Sequence, residues 1–598
     1  MKKVIIIGSI LLITIFSGEN FGLTNASNPK STGPVKKSAV PVFLGKNIIF
    51  RLEGTVPPEI KKNIKIRIEN FTEKYLTDNV LKFSYDYLES LIHNEVKEAI
   101  KPYGYFQPSI KITLKKRGTE IIASAELELG RPIVISDIDL EISGGKDDRP
   151  MIEALKKAFP LQKGDILNTV KYTEGRDILI SMLRANGYLD LKKEKEAILI
   201  DSSKNEAHIT LIIKTDSLYR FGQIELIKSP LNDEFIARYL TFHEGERFSL
   251  QKVIHSQSNL LESGYFRSAF VELLEKEQSS NKIPARVQLS VQKKKLYQIG
   301  GGYSIDTGPH LSIDYTIRYI NSYGHSLHLS SSFSTQQTEI SSSYVIPGKD
   351  PVHSNYSIVG LFYTLNPQKT KSKVGNLGLD YIARYSHWQY SGQLEYQIES
   401  YQYQEDEKNS IRSHLLVPSL SLSWHSENNK ISTDNGLHLA FSLQGANKNL
   451  LSSINFLQLE FLGKGLKSFE NNSRLIATAD FGITLFSTTD QLPPSKQFYL
   501  GGINSIRGYK PNSIGPGRNK MEGSIELQQP IYRSWYAAIF FDFGNTFDSK
   551  LTSLKKSYGT GVVWRTPIGN ARIYLAFPVI QNDQERQFRF LLSFGPDI

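Results

Sequence analysis

The chain has 598 residues, a net charge of +11 and no cysteine. That length is too great for one ordinary domain and suggests about four units, or fewer if one is a large barrel. The lack of cysteine excludes a disulfide framework, a zinc–thiolate site, a cysteine nucleophile and a lipoprotein anchor. The basic residues are dispersed, with no arginine-rich helix or aromatic–basic module, which argues against nucleic acid as a partner.

At the N-terminus Lys2-Lys3 precede the apolar run Val4–Phe16, followed by Ser17-Gly18. A charged start and a short apolar core predict a signal peptide over residues 1–26, ending loosely on Thr24-Asn25-Ala26. No other run approaches the ~20 apolar residues of a membrane helix. An exported chain without such helices can still cross a membrane as a closed β-barrel, which pairs every backbone group between strands. Residues 27–45 are predicted as a flexible linker, because Ser27–Val42 is rich in Pro, Ser and Lys.

From Asn47 the pattern is mixed. A strand (Asn47–Gly54) leads to two helical stretches, Pro57–Phe71 and Ser84–Lys101, the second with Leu88, Leu91, Ile92, Val96 and Ile100 on one face. Gly104-Tyr105-Phe106 follows, then strands near Ser109–Leu114 and Glu120–Leu129. The order β-α-α-β-β recurs twice. One copy runs from Pro132–Ile142 through Gly187-Tyr188-Leu189, and the next from Arg220–Lys228 through helices at Asp233–Leu240 and Leu250–Leu261 to Gly264-Tyr265-Phe266. Two copies share an inter-helix turn, Phe159–Asp165 and Leu240–Glu246. Three units of one type, residues 46–130, 131–216 and 217–294, describe this stretch more economically than one large domain. The Gly of each mark is expected to cap a helix in the left-handed region, with the aromatic packing behind it. No chemistry is assigned to Tyr105, Tyr188 or Tyr265, and His243 and His255 belong to no metal-ligand motif.

After Lys293-Lys294-Lys295 helical periodicity stops. Residues 295–598 read as strand after strand, with Leu311, Ile313, Tyr315, Ile317 and Tyr319 alternating with polar residues. Turn clusters such as Asn321-Ser322-Tyr323-Gly324 intervene. Ser419–Trp424 reads as a strand entered through Pro418. At about 19 residues per strand and connection, the region allows about 16 antiparallel strands of a transmembrane barrel. The predicted fold is therefore three α+β repeats followed by an all-β barrel.

One long loop stands out, Phe498–Tyr509 (FYLGGINSIRGY), where turn glycines flank a single arginine and Gly508 offers a positive φ. In isolation it reads as a solvated hairpin tip. Tandem β-α-α-β-β units, a C-terminal barrel and Ile506-Arg507-Gly508-Tyr509 together resemble the BamA/TamA/FhaC superfamily of outer-membrane insertases and transporters, with the repeats similar to its polypeptide-transport-associated (POTRA) domains. Three repeats, Gly301–Pro309, Asn321–Leu327 and the terminal Phe594–Ile598 are similar to the TamA branch. The resemblance implies that the loop folds into the barrel lumen and that its arginine meets acidic groups on the inner wall. By position these are Glu526 and Asp542, the latter in Phe540–Gly544, which fits the family's Phe-x-Asp-x-Gly pattern ending on Gly544. The physics agrees: Asp542 alternates with Phe541 and Phe543, and Glu526 lies between Ile525 and Leu527, so both carboxylates face inward if the apolar residues face lipid.

The seam of such a barrel joins its first strand, with Gly300, Gly301, Gly302 and Tyr303, to its last, with Phe588, Phe590, Leu592 and Phe594 on one face. Glycines weaken the first strand, and Gly595-Pro596 shorten the last. A weak seam that opens sideways can take an incoming strand by β-augmentation. The resemblance further implies an outer-membrane location and a TamB-like inner-membrane-anchored partner reached through the first POTRA repeat. It implies nascent outer-membrane proteins such as autotransporters as clients, and outer-membrane lipid as a second one. No cofactor or metal is expected. No hydrolase elbow, zinc motif or P-loop is present, so the chain does not read as an enzyme. A two-partner-secretion pore of FhaC type, a passive channel, and an outer-membrane lipid hydrolase using one of His325, His387, His414 or His425 remain the alternatives.

Overall fold

The computed structural model describes residues 41–44, 48–75, 84–117, 120–144, 148–227, 229–275, 281–304, 308–335, 337–368, 370–403, 409–426, 433–551, 553–566, 569–579 and 588–595. The predicted signal peptide, the linker up to residue 40 and residues 596–598 lie outside them. The chain forms two compact units: the described residues up to Ile180 with Leu191–Thr215, and Ser181–Asp190 with the chain from Asp216 onward.

In the first unit, the first repeat forms a sheet in the order Pro41–Leu44, Ile48–Glu53, Glu120–Glu128, Ser109–Arg117. Ile48–Glu53 runs parallel to Glu120–Glu128, which pairs antiparallel with Ser109–Arg117. The linker expectation is corrected at its end, because Pro41–Leu44 pairs antiparallel with Ile48–Glu53. Pro41 stands at the head of an edge strand, where its missing N–H removes no interior ladder bond. Helix Tyr85–Ile100 starts where the Ser84 side chain accepts from the Tyr87 N–H. Its face of Leu88, Ile92, Val96 and Ile100 packs with Ile60, Ile64 and Ile68 of helix Pro58–Tyr75 over the sheet. The second repeat has the same sheet order, Val134–Ser143, Glu206–Thr215, Leu191–Asp201, again with the first two parallel.

In the second unit, the third repeat repeats that order with Arg220–Leu226, Lys282–Val291 and Phe266–Leu273. Its first helix is shorter than predicted, Asp233–Ala237. The core is aromatic, with Phe221 and Phe242 stacked 4.2 Å apart.

The glycine marks do adopt positive φ: 89° at Gly104, 96° at Gly187 and 77° at Gly264. Two of them also make joints. The Gly104 carbonyl accepts from Ile133 N–H at 2.8 Å, at the start of the next repeat, and the Gly187 carbonyl accepts from Tyr219 N–H at 2.9 Å. In the third copy the tyrosine makes the joint instead. The Tyr265 hydroxyl donates to the Gly324 carbonyl at 2.5 Å, in the turn between the second and third strands of the barrel, Gly308–Ile317 and Ser326–Ser334, beside an Asn232 N–H bond to the Ser322 carbonyl at 2.8 Å. Burial pushes the Tyr265 phenol up to about 12, so it stays protonated and donates. The shared inter-helix turns are equivalent to the hydrogen bond: Gly164 N–H donates to the Ile135 carbonyl and Gly245 N–H to the Phe221 carbonyl, each at 2.8 Å. Both turns lie against the first strand's outer edge, through the bridges Val134–Ile166 and Arg220–Arg247. The opposite edges, Ser109–Arg117, Leu191–Asp201 and Phe266–Leu273, carry no further strand among the described residues.

The remainder is one antiparallel sheet of 16 strands in sequence order, from Lys295–Ser304 to Arg589–Gly595. Strand Trp535–Phe547 shows its logic: Tyr536, Ala538, Phe540, Asp542 and Gly544 are buried inside, while Trp535, Ile539 and Phe541 are exposed outside. Pro418 does not precede its strand but lies within Ile411–His425. It pairs with Leu394 on one side, and on the other the ladder begins only at Ser419, so the missing N–H breaks nothing there.

Candidate functional site

Between strands Arg474–Leu485 and Asn519–Tyr532 the chain makes the long loop 486–518. It is stiffened by its own two-stranded sheet, Phe498–Leu500 against Ile514–Gly517. Gly515-Pro516-Gly517 therefore belongs to a short strand. Gly501 and Gly502, with φ of 107° and 99°, provide the sharp bend. Leu500, Ile506 and Ile514 close a small apolar core under the tip, with Tyr509 packed against it.

Arg507 is buried, and two carboxylates, Asp542 and Glu526, hold it. Its Nε and Nη2 donate to the two oxygens of Asp542 at 3.0 and 2.7 Å, a two-point fork. Its backbone N–H also donates to Asp542, at 3.0 Å. Nη1 bonds Glu526, and Nη2 also donates to Ser524 Oγ at 3.1 Å. The guanidinium lies over the Phe540 ring, 3.4 Å from its centroid, with the Tyr574 ring at 4.9 Å. The carboxylates are themselves held. Tyr574 Oη and Gln528 Nε2 each donate to Glu526 at 2.7 Å, and Ser524 and Ser557 hydroxyls donate to Asp542 at 2.7 and 3.2 Å. Every charge in this buried group has a partner, which is what a low-dielectric site requires.

Gly508 serves a different purpose from the one expected. It is absent from the glycines of positive φ. It is glycine because a Cβ there would meet Ser557 Cβ at 2.7 Å and the Pro578 backbone nitrogen at 2.9 Å. The loop tip lies flat against two strands, and only a hydrogen fits. Gly544 has the same role on the wall: a Cβ would reach Met521 O at 2.6 Å and Ile506 Cδ1 at 3.2 Å. Ile506, Arg507, Gly508, Tyr509, Glu526, Asp542 and Gly544 thus form one site.

Sequence reasoning missed the far anchor of the same loop. Buried Glu399, on strand Trp388–Tyr403, accepts from Ser372 Oγ at 2.5 Å and Ser495 N–H at 3.2 Å, and Ser495 Oγ also bonds it. Lys496 Nζ reaches Gln444 at 3.0 Å and Glu395 at 3.5 Å. Neither contact has a spacing signal, since the partners lie on other strands, 52 to 101 positions earlier. A third cluster, Lys520 with Asp480 at 2.8 Å and Glu460 at 3.1 Å, sits under Phe498.

The seam residues are placed at the two ends of the sheet. Gly300, Gly301, Gly302 and Tyr303 pair with His310–Ser312 and Pro309 in a regular ladder, and Phe590, Leu592 and Phe594 pair with Gly569–Val579. Phe588 lies just ahead of the last strand, which begins at Arg589. Among the described residues no ladder joins the first strand to the last.

Residues 286–597 match the Omp85 superfamily domain, and residues 50–128 match a POTRA domain described as TamA domain 1. The chain belongs to the Omp85 superfamily. It is an outer-membrane β-barrel with periplasmic POTRA domains. A relative, outer membrane protein assembly factor BamA of Neorickettsia risticii, is 21% identical over 563 residues, covering 86% of this chain and 72% of that protein. Outer envelope protein 80 from Arabidopsis thaliana chloroplasts is 36% identical over 103 residues, 15% of this chain and 14% of that one. The crystal structure of BamA from Haemophilus ducreyi lacking POTRA domains 1–3 shares the fold, with a TM-score of 0.67 at 16% identity over 77% of this chain and 99% of that one.

Proposed function

We propose that this chain is an outer-membrane insertase of TamA type, which assembles outer-membrane proteins such as autotransporters by adding their strands at the seam of its barrel. The observation that carries the reading is the buried Arg507–Asp542–Glu526 group beside a sheet whose first and last strands share no described ladder. A passive channel needs no ordered loop bolted to the wall next to its seam. A barrel that must open there and close again benefits from one, because the loop keeps the flanking strands in register while the seam pairing changes. The open edges of the POTRA sheets offer backbone donors and acceptors to clients or partners. A TamB-like partner is assigned to the first POTRA repeat, supported by the match at residues 50–128, and outer-membrane lipid is assigned as a second cargo. No nucleotide is required, since burying client strands in lipid is itself favourable.

Cysteines introduced at Tyr303 and Leu592 and oxidised to a disulfide lock the seam of a chain that has no others. Locking is expected to stop assembly of clients, scored by outer-membrane proteomics, and reduction to restore it. Assembly at the normal rate with the seam locked removes the augmentation mechanism.

A further inference from the structure

The last strand, Arg589–Gly595, is paired among the described residues on one side only, against Gly569–Val579. A strand held by one short ladder frays readily. Its inward face carries two further contacts. Arg589 reaches the lumen loop, where its Nη1 bonds the Tyr509 carbonyl and lies 3.4 Å from the Arg507 carbonyl. Leu591 is fully buried with Tyr536, Phe540 and Tyr574, and Ile503 of the loop packs against that cluster.

We infer that Arg589 is a clasp that makes the seam and the lumen loop one mechanical element. It is a positioning residue. Its guanidinium holds main-chain carbonyls on both sides of Gly508, the residue whose missing Cβ lets the tip lie against Ser557 and Pro578. The last strand therefore cannot peel from the barrel while the loop is seated without surrendering charge-assisted bonds in a half-buried setting. Conversely, a seated loop favours the closed seam. Because the acceptors are main-chain oxygens, the clasp ignores side-chain identity at Tyr509 and depends on the loop's backbone path. Client entry at the seam would then be sensed at the Arg507 site through Arg589, alongside the apolar contact of Leu591 with Phe540 and Tyr574. This role rests on the insertase reading for its use, although the clasp itself does not.

Amide hydrogen exchange on the full chain in lipid nanodiscs tests it, with Arg589→Met, which keeps the stem and removes the donors, and Arg589→Lys, which keeps the charge. Arg589→Met is expected to speed exchange of Phe590–Phe594 about tenfold or more, the loss expected for a hydrogen bond from a charged donor. Exchange in strand Arg474–Leu485 and heat-modifiable migration should stay unchanged. Arg589→Lys should fall between Met and wild type, and Lys510→Ala, at an exposed residue of the same tip, should match wild type. Unchanged protection of the last strand in Arg589→Met overturns the clasp, as does an equal loosening of all strands. Client assembly measured on the same variants separates the two readings: faster exchange with unaltered assembly keeps the clasp and counts against the insertase role.

Discussion

The POTRA repeats and the barrel solve burial in opposite ways. Among the largest fully buried side chains of the described residues, those of the repeats are all apolar and include Phe50, Phe221, Phe235, Phe242 and Phe266, whereas the barrel contributes Arg474. The repeats hide apolar groups from water on both sides of a two-layer core. The barrel turns its apolar groups to lipid and must pack the charged and polar remainder inside, where each needs a partner. A change to leucine should therefore cost far more at a buried charge of the barrel than at a buried apolar residue of the repeats, and that contrast is open to direct test.

The largest effect is expected for Arg507→Leu. It keeps an apolar stem and removes the cation, leaving Asp542 and Glu526 uncompensated, at a cost of about 3–5 kcal/mol. Denaturant unfolding of the reconstituted barrel measures this, and assembly should fall with it. In the repeats, by contrast, Ile236→Leu should cost under ~1.5 kcal/mol, since Ile236 is fully buried and volume and polarity are conserved. If the two substitutions cost the same, the interior of the barrel is not the polar site described above. Phe235→Ala comes next, at about 3–5 kcal/mol for the third repeat. Phe235 meets Tyr239 and Tyr265 edge-on at 5.5 and 5.6 Å. Limited proteolysis should show early cleavage within residues 217–294 while the barrel still migrates as folded.

Gly508→Ala probes how closely the loop is seated. The added methyl meets Ser557 Cβ and the Pro578 backbone, neither of which can rotate away. A cost of about 1–3 kcal/mol is expected. Were the loop solvated, as its sequence alone suggests, the same change would be silent.

Much of this was legible in the sequence, for a physical reason. Period-3.6 and period-2 patterns are local, so the repeat order and the barrel were readable, as was the inward orientation of Glu526 and Asp542 from their apolar neighbours. The pairing of Arg507 with those two needed the family resemblance, because a contact across strands leaves no periodic trace. The anchors at Glu399, Ser495 and Arg589 were invisible for that same reason. The purpose of Gly508 was misread because a turn glycine and a close-approach glycine look alike in sequence, and only neighbouring atoms distinguish them. Pro418 was placed at a strand entrance because a proline signals a break, yet a ladder that starts one residue later accommodates it.

The smallest effects bear on the joints and on the surface. Tyr265→Phe removes one buried hydroxyl and leaves the Gly324 carbonyl without that donor, costing about 1–2 kcal/mol. The ring and its aromatic contacts remain, so the third repeat should fold normally while its attachment to the barrel turn loosens. Faster exchange at Ser322–His325 with unchanged protection in Phe266–Leu273 would register that. Lys510→Ala is the counterpart at the loop tip. It is exposed three residues from Arg507, and the contact seen there is made by its carbonyl, which accepts from Ser513 Oγ at 2.7 Å. A change within about 0.5 kcal/mol is expected, with normal assembly. The pair Arg507→Leu and Lys510→Ala thus separates a cation that belongs to the barrel's interior from one that only decorates its loop. Equal loss in both would mean that the tip depends on its net charge and not on the geometry at Asp542.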